Sequence, residues 1–469
     1  MIEDGERIHI IGMAGSGAAG AALLLHHAGA IVDGCDVDVP SPYTPALDAA
    51  GIVCTAGHDP VHLEDVTRVA ISPALRAVPN HAELSAAEAR GIPVVTWQAL
   101  LGELQLAPGR IALGVTGTHG KSTTTALLGH LLAAAGLDPT VEVGAHIEAW
   151  GASVRMGEGA PFVVEADEFS DNFLNYHPAG AIVTNVEMDH PDFFADTEAV
   201  LRSFERFVRG MGAHPGLNGR RLVIAAGDPG ADELVRRLTG WDGRIIRYGP
   251  GGDIEASDVV ATLGGTSFTL FDRRFEMSMA GGHNVLNATA AIIMSRALGA
   301  DLDGLTAGLA TFAGAGRRME LIADTATVTI FDDYGHHPTE VRAALAAARQ
   351  RVGDDRRLWA VFEPHMYSRT ALLLDDFATA FIGADEVVIA DIFASRDTPE
   401  AMRSTSPEAL ADAIERTSAV PAIATGDVEA TTSYVADHVG TGDAVLVMGA
   451  GKSYRIARGL ADRLRKDAT

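Results

Sequence analysis

The chain has 469 residues, 47% hydrophobic and 21% charged, a globular composition too long for one ordinary core, so roughly three domains are expected. Its 62 acidic residues against 36 basic ones leave a net charge of −26, a field that repels DNA, RNA and anionic membrane surfaces and excludes them as expected partners. Two cysteines, Cys35 and Cys54, exclude a disulfide framework and read as packing residues in a reducing compartment; an acidic start and the lack of an apolar run of roughly 18 residues point to a soluble, cytoplasmic protein.

Short apolar runs alternate with Ala/Leu-rich stretches, the pattern of parallel sheets covered by helices. The strand Ile8–Ile11 leads into Gly12-Met-Ala-Gly15-Ser16-Gly17-Ala-Ala-Gly20 and then a helix. Gly15, Gly17 and Gly20 satisfy the G-x-G-x-x-G spacing that lets backbone N–H groups approach a diphosphate. A second strand, Ala30–Asp33, runs on to Asp36, where a ribose-binding acid is expected. This loop fits either NAD(P) or another nucleotide diphosphate, such as a UDP-sugar. Gly51–Cys54, Val69–Ser72 and Gly91–Val95 read as further strands, and Leu104–Arg110 as a linker.

A second block opens on the strand Ile111–Val115, followed by Thr116-Gly117-Thr118-His119-Gly120-Lys121-Ser122-Thr123 and a helix stopping near Gly136. Strand, glycine turn, Lys-Ser and helix make a phosphate loop. Val115 stands where the full G-x-x-x-x-G-K pattern has glycine, so the loop is a shortened form. Lys121 is expected on the β/γ-phosphates and Ser122 on Mg²⁺. Two apolar strands then end in acids, at Glu165-Ala-Asp167-Glu168 and Asn185-Val-Glu187-Met-Asp189-His190. Acids so crowded repel one another without a cation, which favours a metal beside the phosphates. A zinc hydrolase using His119, His146 and His190 is the rival, without H-E-x-x-H spacing to support it. A third block holds strands at Val328–Phe331, Trp359–Phe362, Glu386–Ala390 and Ala444–Met448. The expected divisions are 1–107, 108–315 and 316–469.

These motifs occur in the order GTHGKS (117–122), EADE (165–168), TNVEMDH (184–190), HNVLN (283–287), GRRME (316–320), DDYGHHPTE (332–340), FEPHMYSRT (362–370) and GAG (449–451). In that order and spacing the chain resembles the Mur ligase family of peptidoglycan synthesis over nearly its whole length. The resemblance implies an α/β fold of three domains: a Rossmann-like UDP-binding domain, a central P-loop-type ATPase with a mainly parallel sheet, and a C-terminal Rossmann-like domain. It implies ATP-dependent joining of the UDP-N-acetylmuramate carboxylate to an amine, L-alanine foremost, through an acyl phosphate, by a monomer or weak homodimer. A ligase adding a tripeptide to the same sugar nucleotide is the alternative within the family. An NAD(P)-dependent oxidoreductase is the alternative outside it.

By the same resemblance, Lys121 with Gly117, Thr118, His119, Gly120 and Thr123 holds the ATP phosphates, and Ser122 and Glu165 ligate Mg²⁺. His190 ligates a second metal, Asn287 meets the adenine, and Arg318 and Asp332 approach the nucleotide. Tyr334, His336 and Arg369 meet the incoming amino acid; Gly15, Ser16, Gly17, Asp36, His58 and Ser72 face the UDP-sugar. A hinge is expected near Phe312–Arg318. Four residues depart from the family pattern: Ala14, Glu363, Phe169 and Met366, the last replacing a basic residue that binds the acceptor carboxylate. Before Pro338, His336-His337 also fits a plain helix cap.

Overall fold

The computed structural model describes residues 2–467 apart from Pro73, Ala74, Arg76, Ala77, Pro79 and Ala326. Three sheets, each flanked by helices, carry the architecture the motif order implies. In the first, Arg7–Ile11 lies between Ile31–Asp36 and Arg68–Ile71, with Cys54–Ala56 and Val94–Thr96 outside them, all parallel. The strand order reverses between Arg7–Ile11 and Arg68–Ile71, and the glycine loop sits at that switch point, where such sheets bind ligands.

The second sheet has seven strands, in the order Arg244–Tyr248, Arg221–Ala225, Gly180–Val183, Ile111–Thr116, Pro161–Glu165, Thr140–Ile147 and Ala152–Arg155; the last alone runs antiparallel. Against it pack the helices Lys121–Ala134 and Gly282–Ala297, whose Leu127, Leu128, Leu131 and Ile292 have no exposed surface. A helix apolar on every side belongs inside a core, and this burial anchors the phosphate loop at its N-terminus. A three-stranded antiparallel meander, Ser257–Thr262, Gly265–Leu270 and Arg273–Met277, caps that core with stacked Phe268 and Phe275. The third sheet runs Glu320–Asp324, Val328–Asp333, Asp443–Met448, Leu358–Phe362, Glu386–Ala390 and Ala422–Gly426, parallel but for its first pair.

Two expected strands begin later than the apolar runs suggest, at Cys54 and Val94. Gly51 (φ 74°) and Gly91 (φ 68°) end the helices before them. The N–H groups of Gly51 and Ile52 return to Asp48 and Leu47, and those of Gly91 and Ile92 to Glu88 and Ala87. These are Schellman closures, in which the apolar residue after glycine packs back on its own helix instead of entering the sheet. Among the described residues no helix is long and apolar enough to cross a membrane.

The first domain is seated on the second by the helix Trp97–Gln105. Gln105 Nε2 donates to the carbonyls of Leu113 and Phe162, both at 2.9 Å. One turn earlier Gly102 lies against the Asn175 carbonyl oxygen, where a Cβ has no room. Alanine there gains about 1 kcal/mol of helix propensity but forces overpacking that costs about 1–3 kcal/mol. Gly102→Ala is expected to lower the melting temperature in calorimetry. An unchanged or higher value would show that this seat yields.

Candidate active site

The three domains enclose a cleft of about 1490 Å³. Ser16 and Gly17 line it from the first domain, Thr118, Gly120, Lys121, Ser122, Glu165 and His190 from the second, and Tyr334, His336 and Arg369 from the third, with Arg318 at the hinge. The structure thus gathers residues from all three blocks of the sequence.

The phosphate loop is shaped by two glycines in left-handed backbone, Gly117 (φ 133°) and Gly120 (φ 80°). A side chain at Gly117 collides with Thr184, and a Cβ at Gly120 lies 2.8 Å from Asn287 Oδ1. Asn287, expected on the adenine, therefore packs under the loop's turn. It is buried and does not line the cleft. Lys121 Nζ donates to the Gly117 and Thr118 carbonyls (2.8 and 3.2 Å) and to Glu168 Oε2 (2.8 Å), with Asp167 at 3.7 Å. Burial opposes its charge, but Glu168 and Asp167 more than offset that and hold the ammonium protonated.

Ser122 Oγ and Gly144 N both donate to Glu165, at 3.0 and 2.7 Å. Glu142, which sequence reasoning missed because it lies inside a strand, is buried beside Glu165. Burial and that neighbouring charge push its carboxyl well up. Asp167, Glu168 and His190 converge, with Glu168 Oε1 buried and without a hydrogen-bond partner. An orphaned buried carboxylate oxygen among crowded acids fits a bound cation.

The segment where a hinge is expected carries two adjacent arginines that part company. Arg317 pairs with Asp332 (2.9 Å) and donates to Gly449 O and Ser453 Oγ, all in the third domain. Arg318 turns the other way, to Ser122 Oγ at 3.2 Å. Asp332 is thus spent on Arg317 and stays out of the cleft, unlike the expected approach to nucleotide.

His119, from the phosphate loop, points across to the third domain. Its ring lies 3.3 Å from Glu340 and 3.6 Å from Glu187, and 4.5 Å from the His337 ring. His337 does cap the helix Pro338–Val352, with Glu340 completing a capping box, while His336 faces the cleft. The capping reading thus holds for His337, and His336 is the one of the pair that lines the cleft. Arg369, 1% exposed, binds Asp189 (2.8 Å), His365 (3.1 Å) and His190 Nδ1 (3.4 Å). Against the cost of burial, Arg369 holds Asp189 well below the usual carboxylate range. Burial, opposed by Glu340 and aided by Arg369, brings His336 down to about 3. Burial and the charges of His336 and Arg369 bring His365 to about 2.

In the first domain, Gly15 caps the helix Ser16–His27 and Trp97 covers Gly17, 2.6 Å from where a Cβ would sit. Asp36, expected at a ribose, accepts from Ala14 N at 3.0 Å and so braces the glycine loop. His58 turns away from the cleft to Cys35 and Glu83 (both 3.2 Å). Ser72 also lies outside the cleft lining, as do Gly15, Gly117, His119 and Thr123. Cys35 is not the apolar packing residue expected, since it sits among imidazoles and a carboxylate.

Three family models match in succession: the Mur ligase family catalytic domain at residues 7–107, the Mur ligase middle domain at 115–295, and the Mur ligase glutamate ligase domain at 317–451. The UDP-N-acetylmuramate–L-alanine ligase of Mycolicibacterium vanbaalenii is 38% identical over 462 residues, 95% of this chain and 94% of that protein. The chain belongs to the Mur ligase family. This Mur ligase is also 37% identical to the UDP-N-acetylmuramate–L-alanine ligase of Mycobacterium tuberculosis over 471 residues, 96% of this chain and 92% of that one. Its fold is similar to that of the UDP-N-acetylmuramate–alanine ligase of Thermotoga maritima (TM-score 0.81, 24% identity, covering 98% and 99% of the chains). It is similar too to a murein peptide ligase of Psychrobacter arcticus (TM-score 0.70, 26% identity, 98% and 99%).

Although burial opposes the charge, Glu340 and Glu187 raise His119 from 6.5 to about 10. A pKa raised on folding adds stability that is complete below the unfolded value and lost as pH climbs through the folded one. Stability contributed by this link is therefore expected to fall from pH about 6.5 to about 10. His119→Gln should lower the melting temperature at the acid end of that window and flatten its alkaline decline. Parallel wild-type and variant curves would show that the link contributes nothing.

Proposed function

We propose that this Mur ligase joins the carboxylate of UDP-N-acetylmuramate to the amine of L-alanine, releasing ADP and phosphate, in the cytoplasm. One observation carries the reading: the glycine loop, the phosphate loop and the His336–Arg369 region open on a single cleft. A dehydrogenase has no use for the Lys121–Ser122 loop and the acids around it.

A carboxylate is a poor electrophile, so the γ-phosphoryl of ATP first converts it to an acyl phosphate, which the amine then attacks. Thr118, Gly120, Lys121 and Ser122 cradle the phosphates, and Lys121 exchanges part of its contact with Glu168 for phosphate oxygens. Ser122 and Glu165 would hold one Mg²⁺ and Asp167, Glu168 and His190 a second. These ions supply counter-charge to the transferring phosphoryl group. Arg318, beside Ser122, adds its guanidinium from the hinge. Arg369 acts as a positioning residue, fixing Asp189, which in turn accepts the His190 backbone N–H at 2.7 Å.

The surroundings of Met366 support an acceptor site built on a different arginine. Met366 is fully buried, and Arg396 stands beside it, with its guanidinium 3.8 Å from the Met366 sulfur and 4.3 Å over the Phe169 ring. Arg396 is anchored to Asp192 (3.0 Å) through Nε and lines the cleft; Arg369 lines it too, but its guanidinium is taken up by Asp189 and His365. Arg396 supplies the charge for the acceptor carboxylate that Met366 lacks. His336 donates through Nδ1 to the Tyr334 carbonyl (3.1 Å) and, neutral, keeps Nε2 to accept a hydrogen bond from the amine.

Phosphate release from ATP, Mg²⁺ and UDP-N-acetylmuramate is expected to depend on L-alanine. Turnover only with a muropeptide tripeptide would move the protein to the other branch of the family. Lys121→Ala should cut that turnover about 100- to 1,000-fold, as expected for loss of a charged donor on the reacting group. Arg396→Ala should raise the KM for L-alanine about 10- to 100-fold and leave that for ATP unchanged. An unchanged KM for L-alanine would remove Arg396 from the acceptor site.

A further inference from the structure

Away from the cleft, the first domain buries an unusual polar cluster. His9 leaves the central strand, Cys35 the strand beside it, His62 the turn Pro60–Leu63, and Glu83 the helix Ala82–Ala89. One ligand-type atom from each of the four lies within 4.8 Å of all the others. Cys35 Sγ is 3.3 Å from His9 Nε2 and 3.2 Å from Glu83 Oε2; His62 Nδ1 is 2.8 Å and His9 Nε2 3.6 Å from Glu83 Oε1. Glu83 is fully buried and His9 nearly so. None of the four lines the cleft.

One further feature points to a ligand. His9 Nδ1 is held by Asp33 at 2.5 Å, which turns Nε2 into the cluster. A carboxylate behind a histidine is how metal-ligating imidazoles are oriented.

We propose that His9 Nε2, Cys35 Sγ, His62 Nδ1 and Glu83 form a tetrahedral site for a zinc-class divalent cation. Thiolate, imidazole and carboxylate are the ligand types such a cation takes, and hard Mg²⁺ does not choose sulfur. On binding, the Cys35 thiol releases its proton to solvent, and the thiolate and the Glu83 carboxylate together neutralise the two positive charges. The site is structural. The Cys35 carbonyl accepts from the N–H groups of Gly12 and Met13, at 2.8 and 3.1 Å, so a cation on Cys35 braces the root of the glycine loop.

The test loads chelator-stripped full-length protein with Co²⁺ and then with Zn²⁺. A thiolate-to-cobalt charge-transfer band with tetrahedral visible absorption is expected, displaced by zinc but not by excess Mg²⁺, together with a higher melting temperature on zinc loading. Cys35→Ser should abolish the band, and His62→Gln should weaken zinc retention at least tenfold in a competitive chelator titration. His190→Ala, in the catalytic cleft, should keep the band. Circular dichroism on each apo variant separates misfolding from ligand loss. A wild-type protein without the band, or retention unchanged in both Cys35→Ser and His62→Gln, would overturn the site and leave the ligase reading untouched.

Discussion

Everything in the cleft depends on concentrating negative charge around one lysine. Glu142, Glu165, Asp167 and Glu168 crowd the strand ends beside the phosphate loop, and Lys121 is the cation set among them. Burial and the neighbouring Glu165 charge push the Glu142 carboxyl well up, and Glu168 leans on the ammonium. The same crowding suits the site to polyphosphate with its metal ions, which arrive as a matched set of charges. An overall charge of −26 makes this local arrangement more necessary, since the surface field opposes an anionic substrate.

The third domain is attached to that centre by charge as well. Arg317 and Arg318 are neighbours in sequence, yet one binds the third domain and the other reaches Ser122. Backbone geometry separates them, for Arg317 and Met319 both adopt positive φ, at 56° and 52°. Such conformations cost energy in residues other than glycine and persist where the surroundings require them. His119 with Glu340 and Glu187 forms a second link on the far side of the loop, and Thr339 adds a hydrogen bond to Glu187 at 2.8 Å. These links are polar, as are those of Arg396 to Asp192 and of Gln350 to Thr262 and Gly265, and polar contacts suit a domain that closes to exclude water and opens to release product.

Much of this was legible in the residues. The parallel sheets follow from apolar runs alternating with helices, and the phosphate loop from Gly117, Gly120, Lys121 and Ser122 after a strand, because those signals are local. Strand starts at Cys54 and Val94 were not, since Gly51-Ile52 and Gly91-Ile92 look like strand yet serve as helix closures. His58, Asp36 and Asp332 show the limit of assigning a role from a motif. Each stands at its motif position, but the side chain is taken up by Glu83, the glycine loop and Arg317 respectively.

By itself the sequence determined the order of elements, the family and the phosphate-handling chemistry, because each rests on short spacings that backbone geometry converts directly into structure. Only the tertiary structure decided which charged group faces which. Arg396 comes to Met366 from 30 residues on, His119 meets Glu340 across a domain boundary, and Cys35 meets Glu83 rather than an apolar core. Such pairings are settled by how three separate cores pack against one another. Electrostatic partners that act over a few ångströms in space leave no period and no spacing along the chain.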